Sequence, residues 1–397
     1  MILRDTTRHS YRPIDFRRHI RPEDFWKFTL DTDLVAHHTN SIARLFSTSN
    51  CAVRDITSHD LRGRKVFVTN SLYDTLAVRT TDAILRRVLA FPVFSREDEI
   101  RQLTEIVKSE RRAVIFRTDI SSFFESISLG HLIDNLVDAG FSNRSCINHL
   151  ISINKHVIKL GCTGLPRGLS ISSTLAEFAM ERFDKGVKAI RSCMYYCRYV
   201  DDIIAIFGDA DSDIQANVTN LLPRGLSLNP HKSFVRTIGA NEWVDFLGYS
   251  IELSGNHTVK IAEKKMSGVK KRIVLSLRRY SRDANFDLLK LRLQFLASNT
   301  RMRMPGRRMP ITVGFRYQYS LCDEVAIESQ LKDLDTFYRR ILASRRFTLS
   351  RRIRGSLTIP QQNDLWAISF LSGYRKRITR ALPKETIAHI KCAWQYE

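Results

Sequence analysis

Fourteen residues near the middle of the chain constrain it most. Met194-Tyr195-Tyr196-Cys197-Arg198-Tyr199-Val200 is a β-forming run that meets two adjacent acids, Asp201 and Asp202, before Ile203-Ile204-Ala205-Ile206-Phe207 resumes as a second apolar run. This pattern predicts a hairpin with carboxylates at its turn. Adjacent carboxylates between apolar strands lose hydration and repel each other, so they are costly unless a cation compensates them. A solvated turn is the plain alternative for an Asp-Asp pair, but it leaves the apolar residues on both sides unexplained.

A third acid stands in a matching place. Ala113-Val114-Ile115-Phe116 is a short apolar run that reads as a buried strand leading into Asp119. Acids brought together from two separate elements are what two-metal phosphoryl transfer requires, because magnesium is a hard cation that takes oxygen ligands. Between the two runs, the loop Gly161 to Gly168 precedes an expected helix over residues 171–190, with Leu175, Phe178, Ala179 and Phe183 on one face. Further strands are expected at Phe234 to Thr237 and Phe246 to Ile251, so the middle of the chain reads as α+β. Residues 1 to about 110 read as mostly helical, with a helix over Ser71 to Phe91 carrying Leu72, Leu76, Ile84 and Leu85. Strand signals fade after Gly255 and Asn256. Basic amphipathic helices are expected over Ala262 to Arg279 and Ser329 to Ile341, separated by a positively charged connector from Arg301 to Pro310.

Charge narrows the partners. The net charge is +22 and the pI about 10.0. Residues 264–397 hold 29 Lys and Arg against 10 Asp and Glu, which places most of that excess in the C-terminal third. Pairs and triplets such as Arg278-Arg279, Arg307-Arg308, Arg339-Arg340, Arg345-Arg346, Arg351-Arg352 and Arg375-Lys376-Arg377 alternate with Tyr280, Phe337, Tyr338, Phe347 and Tyr374. That mixture suits phosphate contact with base stacking, against the plain reading of a basic, well-solvated surface. The seven cysteines, at 51, 146, 162, 193, 197, 322 and 392, form no paired framework and no zinc spacing. The N-terminus has no secretory pattern and no window approaches a membrane span, so a cytoplasmic protein with no membrane partner is expected.

Tyr199-Val200-Asp201-Asp202 resembles the signature of reverse transcriptases, and Asp119-Ile120-Ser121-Ser122-Phe123-Phe124-Glu125-Ser126-Ile127 resembles their first catalytic motif. Gly164-Leu165-Pro166-Arg167-Gly168-Leu169-Ser170 through Ala176-Glu177 is similar to the loop and helix that position template and nucleotide. Gly225-Leu226-Ser227-Leu228-Asn229-Pro230-His231-Lys232 resembles the next motif, and Phe246-Leu247-Gly248-Tyr249 the primer grip. The resemblance implies a right-hand polymerase fold of fingers, palm and thumb, with a helical basic C-terminal domain. The boundaries it suggests are residues 1–112 for the N-terminal region and fingers, 113–258 for the palm with finger elements and 259–397 for the thumb and C-terminal domain. It implies Asp119, Asp201 and Asp202 as catalytic acids. Two Mg2+ ions, or Mn2+ in their place, would be held by Asp119, Ile120, Asp201 and Asp202. Phe124, Arg167, Gly168, Arg96 and Lys232 are implied at the nucleotide, and Tyr199, Phe246, Leu247 and Gly248 at primer and template. Arg79, Arg86 and Arg101 are further candidates for the triphosphate.

Phe124 would stand beneath the sugar and exclude a 2′-hydroxyl; the plain alternative is a core phenylalanine beside Phe123. Two departures stand out, Arg167 where the family usually has Gln, and Ala176-Glu177 where group II intron and retron enzymes commonly have Asn. The second, with Phe-Phe-Glu-Ser-Ile and the compact length, looks like the defence-associated, abortive-infection type of bacterial reverse transcriptase. The expected activity is therefore RNA-directed DNA synthesis in antiphage defence. Expected partners are a non-coding RNA template, a DNA product, deoxynucleotides, and a second copy or a second reverse transcriptase subunit. Template-independent or protein-primed synthesis by the same site is one alternative, and an inactive polymerase fold that binds RNA is another.

Overall fold

The computed structural model describes residues 11–48, 51–61, 63–92, 94–110, 112–208, 213–239, 241–302, 310–376, 379–382 and 384–395. The N-terminus read for a secretory pattern, Arg307-Arg308 with most of the connector, and Arg377 lie outside the described residues. Two compact units divide the chain, one of residues 1–94 with 112–237, the other of residues 95–111 with 238–397.

The first unit is built on a four-stranded antiparallel sheet in which Cys193–Tyr199, Asp202–Phe207, Val114–Asp119 and Phe234–Thr237 lie side by side in that order. Alternation sorts its side chains. Val114, Phe116, Ile203, Ala205 and Phe207 join the core of this unit, while Ile115, Ile204 and Ile206 are buried on the opposite face. The Leu72–Leu89 and Ser170–Lys188 helices pack together and contribute Leu76, Leu85, Leu175 and Phe183 to that core. Ser71 caps the first of them by accepting from the Asp74 N–H, and the left-handed Ala90 ends it. The helix also buries Asp82, which accepts from Thr174 Oγ1 at 2.5 Å and from Arg86.

The expectation of a mostly helical N-terminal region omits a hairpin, Ile56–Leu61 paired with Arg64–Thr69. Its β-branched residues, Ile56, Thr57, Val66, Val68 and Thr69, with Gly63 at positive φ in the turn, are the signal for it.

The second unit contains the Arg96–Ser109 helix, a three-stranded antiparallel sheet of Trp243–Phe246, Tyr249–Glu252 and Val259–Ile261, and the helices Glu263–Asp283, Phe286–Ala297 and Glu324–Ala343. Here the expected continuous strand from Phe246 to Ile251 is corrected. Leu247 and Gly248 both have positive φ, 48° and 88°, so the chain reverses there and the motif is a tight hairpin. Strands also persist beyond residue 256, in Val259–Ile261 and in a small mixed sheet of Ile311–Val313, Asn299–Met302 and Thr379–Ala381. The Glu263–Asp283 helix buries Met266, Ile273, Leu277 and Tyr280 and exposes Lys264, Lys265, Lys271, Arg272, Arg278, Arg279 and Arg282. The helix is thus apolar toward its own core and cationic toward solvent.

A buried polar chain links three segments of the first unit. Tyr11 Oη is 2.7 Å from Thr81 Oγ1, which is 2.7 Å from His149 Nδ1; His149 is fully buried and its Nε2 has no partner among the described residues. Burial pushes the imidazole down to about 3. Above pH ~6.5 the folded and unfolded chains carry the same neutral imidazole, and between ~6.5 and about 3 only the unfolded chain binds the proton. Wild type should therefore lose stability as pH falls through that window, at up to about 1.4 kcal/mol per pH unit from this group. The non-titrating His149→Gln should lose less, and parallel melting curves from pH 7 to 4 would refute this origin.

Candidate active site

Asp119 ends its strand and pairs in register with Asp202, the first residue of the neighbouring strand. Between Tyr199 and Asp202 the chain turns through Val200 at φ 60°, and the Asp201 carbonyl accepts the Ile120 N–H at 3.0 Å. On the other side of Asp119, its carbonyl accepts the Asn229 N–H at 2.7 Å, Ser227 accepts from the Ser121 N–H at 2.9 Å, and Ile120 bridges Leu228. The Gly225 to Lys232 segment is thereby strapped along the first motif. Its last residue, Lys232, brings its ammonium to 2.8 Å from Asp119 Oδ2.

The three acids differ in environment. The Asp119 residue is 6% exposed, with Lys232 as its cation. Burial raises the Asp201 carboxyl above the usual range, and the charges of Asp119 and Asp202 raise it further, although its own backbone N–H and Lys232 act in the opposite sense. The Asp202 carboxylate is taken by Arg117 at 2.9 Å, from a guanidinium that also donates to the carbonyls of Thr118 and Ile203. Sequence reasoning missed Arg117. The signal was available, a lone arginine within the apolar strand, two residues before Asp119 and so on the same face.

Among the described residues no three His, Cys, Asp or Glu side chains converge to hold a metal unaided. A hard divalent cation such as magnesium is commonly bound by one or two carboxylates, with water and substrate phosphate completing its shell. Asp119 and Asp201 are the acids that could hold such an ion here, the Asp201 carboxyl being raised first by burial and then by the charges of Asp119 and Asp202.

The nucleotide candidates of the first unit also cluster. In the short Phe123–Ser126 helix, Phe123 is buried in the core at 2% exposure, whereas Phe124 is only partly covered and meets Phe123 edge-on at 5.3 Å. Arg167 lies over the Phe124 ring at 4.9 Å, with Nε and Nη2 donating to Glu125 at 3.1 and 3.0 Å. The charged departure from Gln is therefore neutralised locally. The surrounding loop admits little change. Leu165 donates to the Phe124 carbonyl, Phe67 donates to the Arg167 carbonyl, and a Cβ at Gly164 would meet the Phe124 carbonyl oxygen at 2.4 Å. Tyr199 is 49% exposed, with the Phe94 ring 4.9 Å away.

Other candidates are already engaged. Arg79 is paired with the buried Asp24 at 2.6 Å and also donates to the His19 carbonyl, so it serves the fold. Arg86 is paired with Asp82. Arg96, Arg101, Phe246, Leu247 and Gly248 belong to the second unit. There the Arg96 guanidinium lies 4.7 and 5.3 Å from the Tyr249 and Tyr319 rings and donates to the Gln318 carbonyl, while Arg101 pairs with Asp98 on the surface.

Residues 56–251 match the family model for reverse transcriptase (RNA-dependent DNA polymerase). The chain carries a reverse transcriptase domain. The five motifs noted from sequence fall within that span, and the mixed helix and strand fold is of the right-hand polymerase type. The family is one of nucleotidyltransferases, and its members generally use divalent metal ions. No curated protein matches the chain by sequence. Among solved structures, that of apo telomerase from Candida tropicalis, truncated from its C-terminal domain, is similar with a TM-score of 0.35 and 13% identity, over 52% of this chain and 54% of that one. The chain thus aligns to about half of that structure's length.

Gly168 offers a local test of the reverse transcriptase domain. Its φ is +103°, and a Cβ would approach the Phe67 carbonyl oxygen to 2.5 Å and Val66 Cγ1 to 2.8 Å. Gly168→Ala should lower stability by about 2 kcal/mol or more, since strain and overpacking act together. A melting temperature unchanged from wild type would refute the close contact between this loop and the hairpin.

Proposed function

We propose that the chain is an RNA-directed DNA polymerase. The observation that carries this reading is the strand register that pairs Asp119 with Asp202 and brings the Ile120 N–H to the Asp201 carbonyl, inside a span that matches the reverse transcriptase family. In this assignment residues 1–112 serve as N-terminal region and fingers, 113–258 as palm with finger elements, and 259–397 as the helical basic thumb and C-terminal domain.

Two divalent cations bound at Asp119 and Asp201 would activate the primer 3′-hydroxyl and neutralise the triphosphate and departing pyrophosphate. Asp202 acts behind them, since Arg117 holds its carboxylate and keeps the turn from swinging open. Lys232 screens Asp119, and because its side chain is 53% exposed it is free to turn toward a phosphate when a stronger cation arrives. Phe124 presents a ring to the sugar, with Arg167 stacked on it and Glu125 fixing Arg167. The exposed Tyr199 and Phe94 rings suit base stacking beside the acids. The cationic face of the Glu263–Asp283 helix suits a sugar-phosphate backbone.

The finer reading is a defence-associated enzyme that copies a non-coding RNA, supported by Glu125 in Phe-Phe-Glu-Ser-Ile and by Ala176-Glu177. The decisive experiment measures deoxynucleotide incorporation on a primed RNA template. Asp201→Ala should reduce it by on the order of a thousandfold or more, the equivalent of several kcal/mol of transition-state stabilisation, while melting temperature holds. Activity within about tenfold of wild type would sink the assignment of Asp201. Incorporation independent of added RNA would favour template-free or protein-primed synthesis. Protection of cells against phage that is lost with Asp201→Ala would support the defence role, and undiminished protection would remove it.

The sugar gate has its own readout. Phe124→Val should shift the ratio of ribonucleotide to deoxynucleotide specificity constants by about tenfold, ~1.4 kcal/mol, because relief of the clash benefits only the ribose. A core role predicts equal loss for both sugars with a lower melting temperature. An unchanged ratio would reject the gate.

A further inference from the structure

Val200 is held where a β-branched residue seldom sits. Its φ of 60° is in the left-handed region, which only glycine and a few small polar residues enter freely, and it immediately precedes Asp201. Such a conformation persists when its surroundings over-determine it. Arg198, two residues earlier, provides the restraint. Its side chain is 3% exposed, and all five of its N–H donors have an acceptor. Nε and Nη2 donate to the two oxygens of Asp184 at 2.8 and 2.7 Å, Nη1 and Nη2 to those of Glu177 at 3.2 and 2.7 Å, and the remaining Nη1 donor reaches the Val200 carbonyl at 3.0 Å. Tyr196 Oη donates to Asp184 Oδ1 at 2.6 Å and fixes that carboxylate in turn. Both acids come from the Ser170–Lys188 helix, so the turn is tied to a helix anchored in the core. Glu177 is also one of the positions at which the sequence departs from the commoner pattern.

We propose that Arg198 is a positioning residue: clamped by Glu177 and Asp184, it holds Val200 in the left-handed conformation and thereby sets the direction of the Asp201 carboxylate. This rests on the reading of Asp201 as a catalytic acid. A planar guanidinium is required, because one lysine ammonium cannot satisfy two bidentate carboxylates and a carbonyl together. The strain at Val200 yields a readout that a merely structural arginine would not move. Glycine adopts φ 60° without cost, so in a Val200→Gly background the restraint becomes dispensable.

The test uses the full chain on a primed RNA template, with kcat, nucleotide KM and melting temperature measured for each variant. Arg198→Met should lower kcat by on the order of 10- to 100-fold with nucleotide KM little changed. In the Val200→Gly background the same substitution should lower kcat by less than about threefold. Equal losses in both backgrounds would overturn the proposal and leave Arg198 as a strut of the fold, and no loss in either would overturn it as well. Should Arg198→Met abolish cooperative melting, Glu177→Ala, at the more exposed of the two carboxylates, decides by the same two-background comparison. Asp201→Asn is run in parallel. If it remains active, the reading of Asp201 fails and the positioning role falls with it. If it is inactive while Arg198→Met matches wild type, only the positioning role fails.

Discussion

The pairing of Val114–Asp119 with Asp202–Phe207 is the constraint on which the site depends. Its register sets Asp119 opposite Asp202 and brings the Ile120 N–H to the Asp201 carbonyl. A slip of one residue would turn every side chain of the strand to the other face, moving Phe116 out of the core as well as Asp119 out of the site. Packing and chemistry therefore enforce one alignment. Phe116, Ala205 and Phe207 gain their burial only in the register that also gathers the acids.

Gathering acids has an electrostatic cost, and the domain meets most of it with three cations. Lys232 faces Asp119, Arg117 faces Asp202, and Arg198 sits between Glu177 and Asp184 behind the turn. Asp201 is left with the weakest compensation and the raised carboxyl. The two arginines are nearly buried, whereas the Lys232 side chain is half exposed. That contrast separates permanent parts of the scaffold from an exchangeable counter-ion, since a screened, mobile pair costs little to break and a buried one leaves an uncompensated charge.

The strands around the acids were legible in the sequence because local signals agreed there: apolar runs of strand length, each ending at a carboxylate. The two helices of the first core were legible from their periodicity, to within one or two residues at each end. The Ile56–Leu61 hairpin was missed despite its β-branched residues, since its first strand is mostly polar and increasingly exposed and offers little hydrophobic alternation. The turn at Leu247 escaped notice because Leu is a poor turn residue and the apolar run appeared continuous. Arg117 and Arg198 show a different limit. Their partners are 85 and up to 21 residues away in sequence, and a pairing of that kind follows from sheet register and helix placement, which a reading of local pattern does not contain.

Arg167 shows how a departure from a family pattern can be absorbed within a few ångströms. An arginine in place of a neutral amide brings a charge beside the ring proposed to face the sugar, where an uncompensated cation would compete for the triphosphate. Glu125 removes that competition by taking both the Nε and Nη2 edges, and leaves the flat guanidinium stacked on Phe124. The ring is then confined between Phe123 and Arg167. A ring confined on both sides discriminates by contact better than a mobile one, because a clash counts only when the group cannot move away from it. The pair Glu125 and Arg167 is accordingly one unit of sequence, in which neither residue would be expected to change without the other.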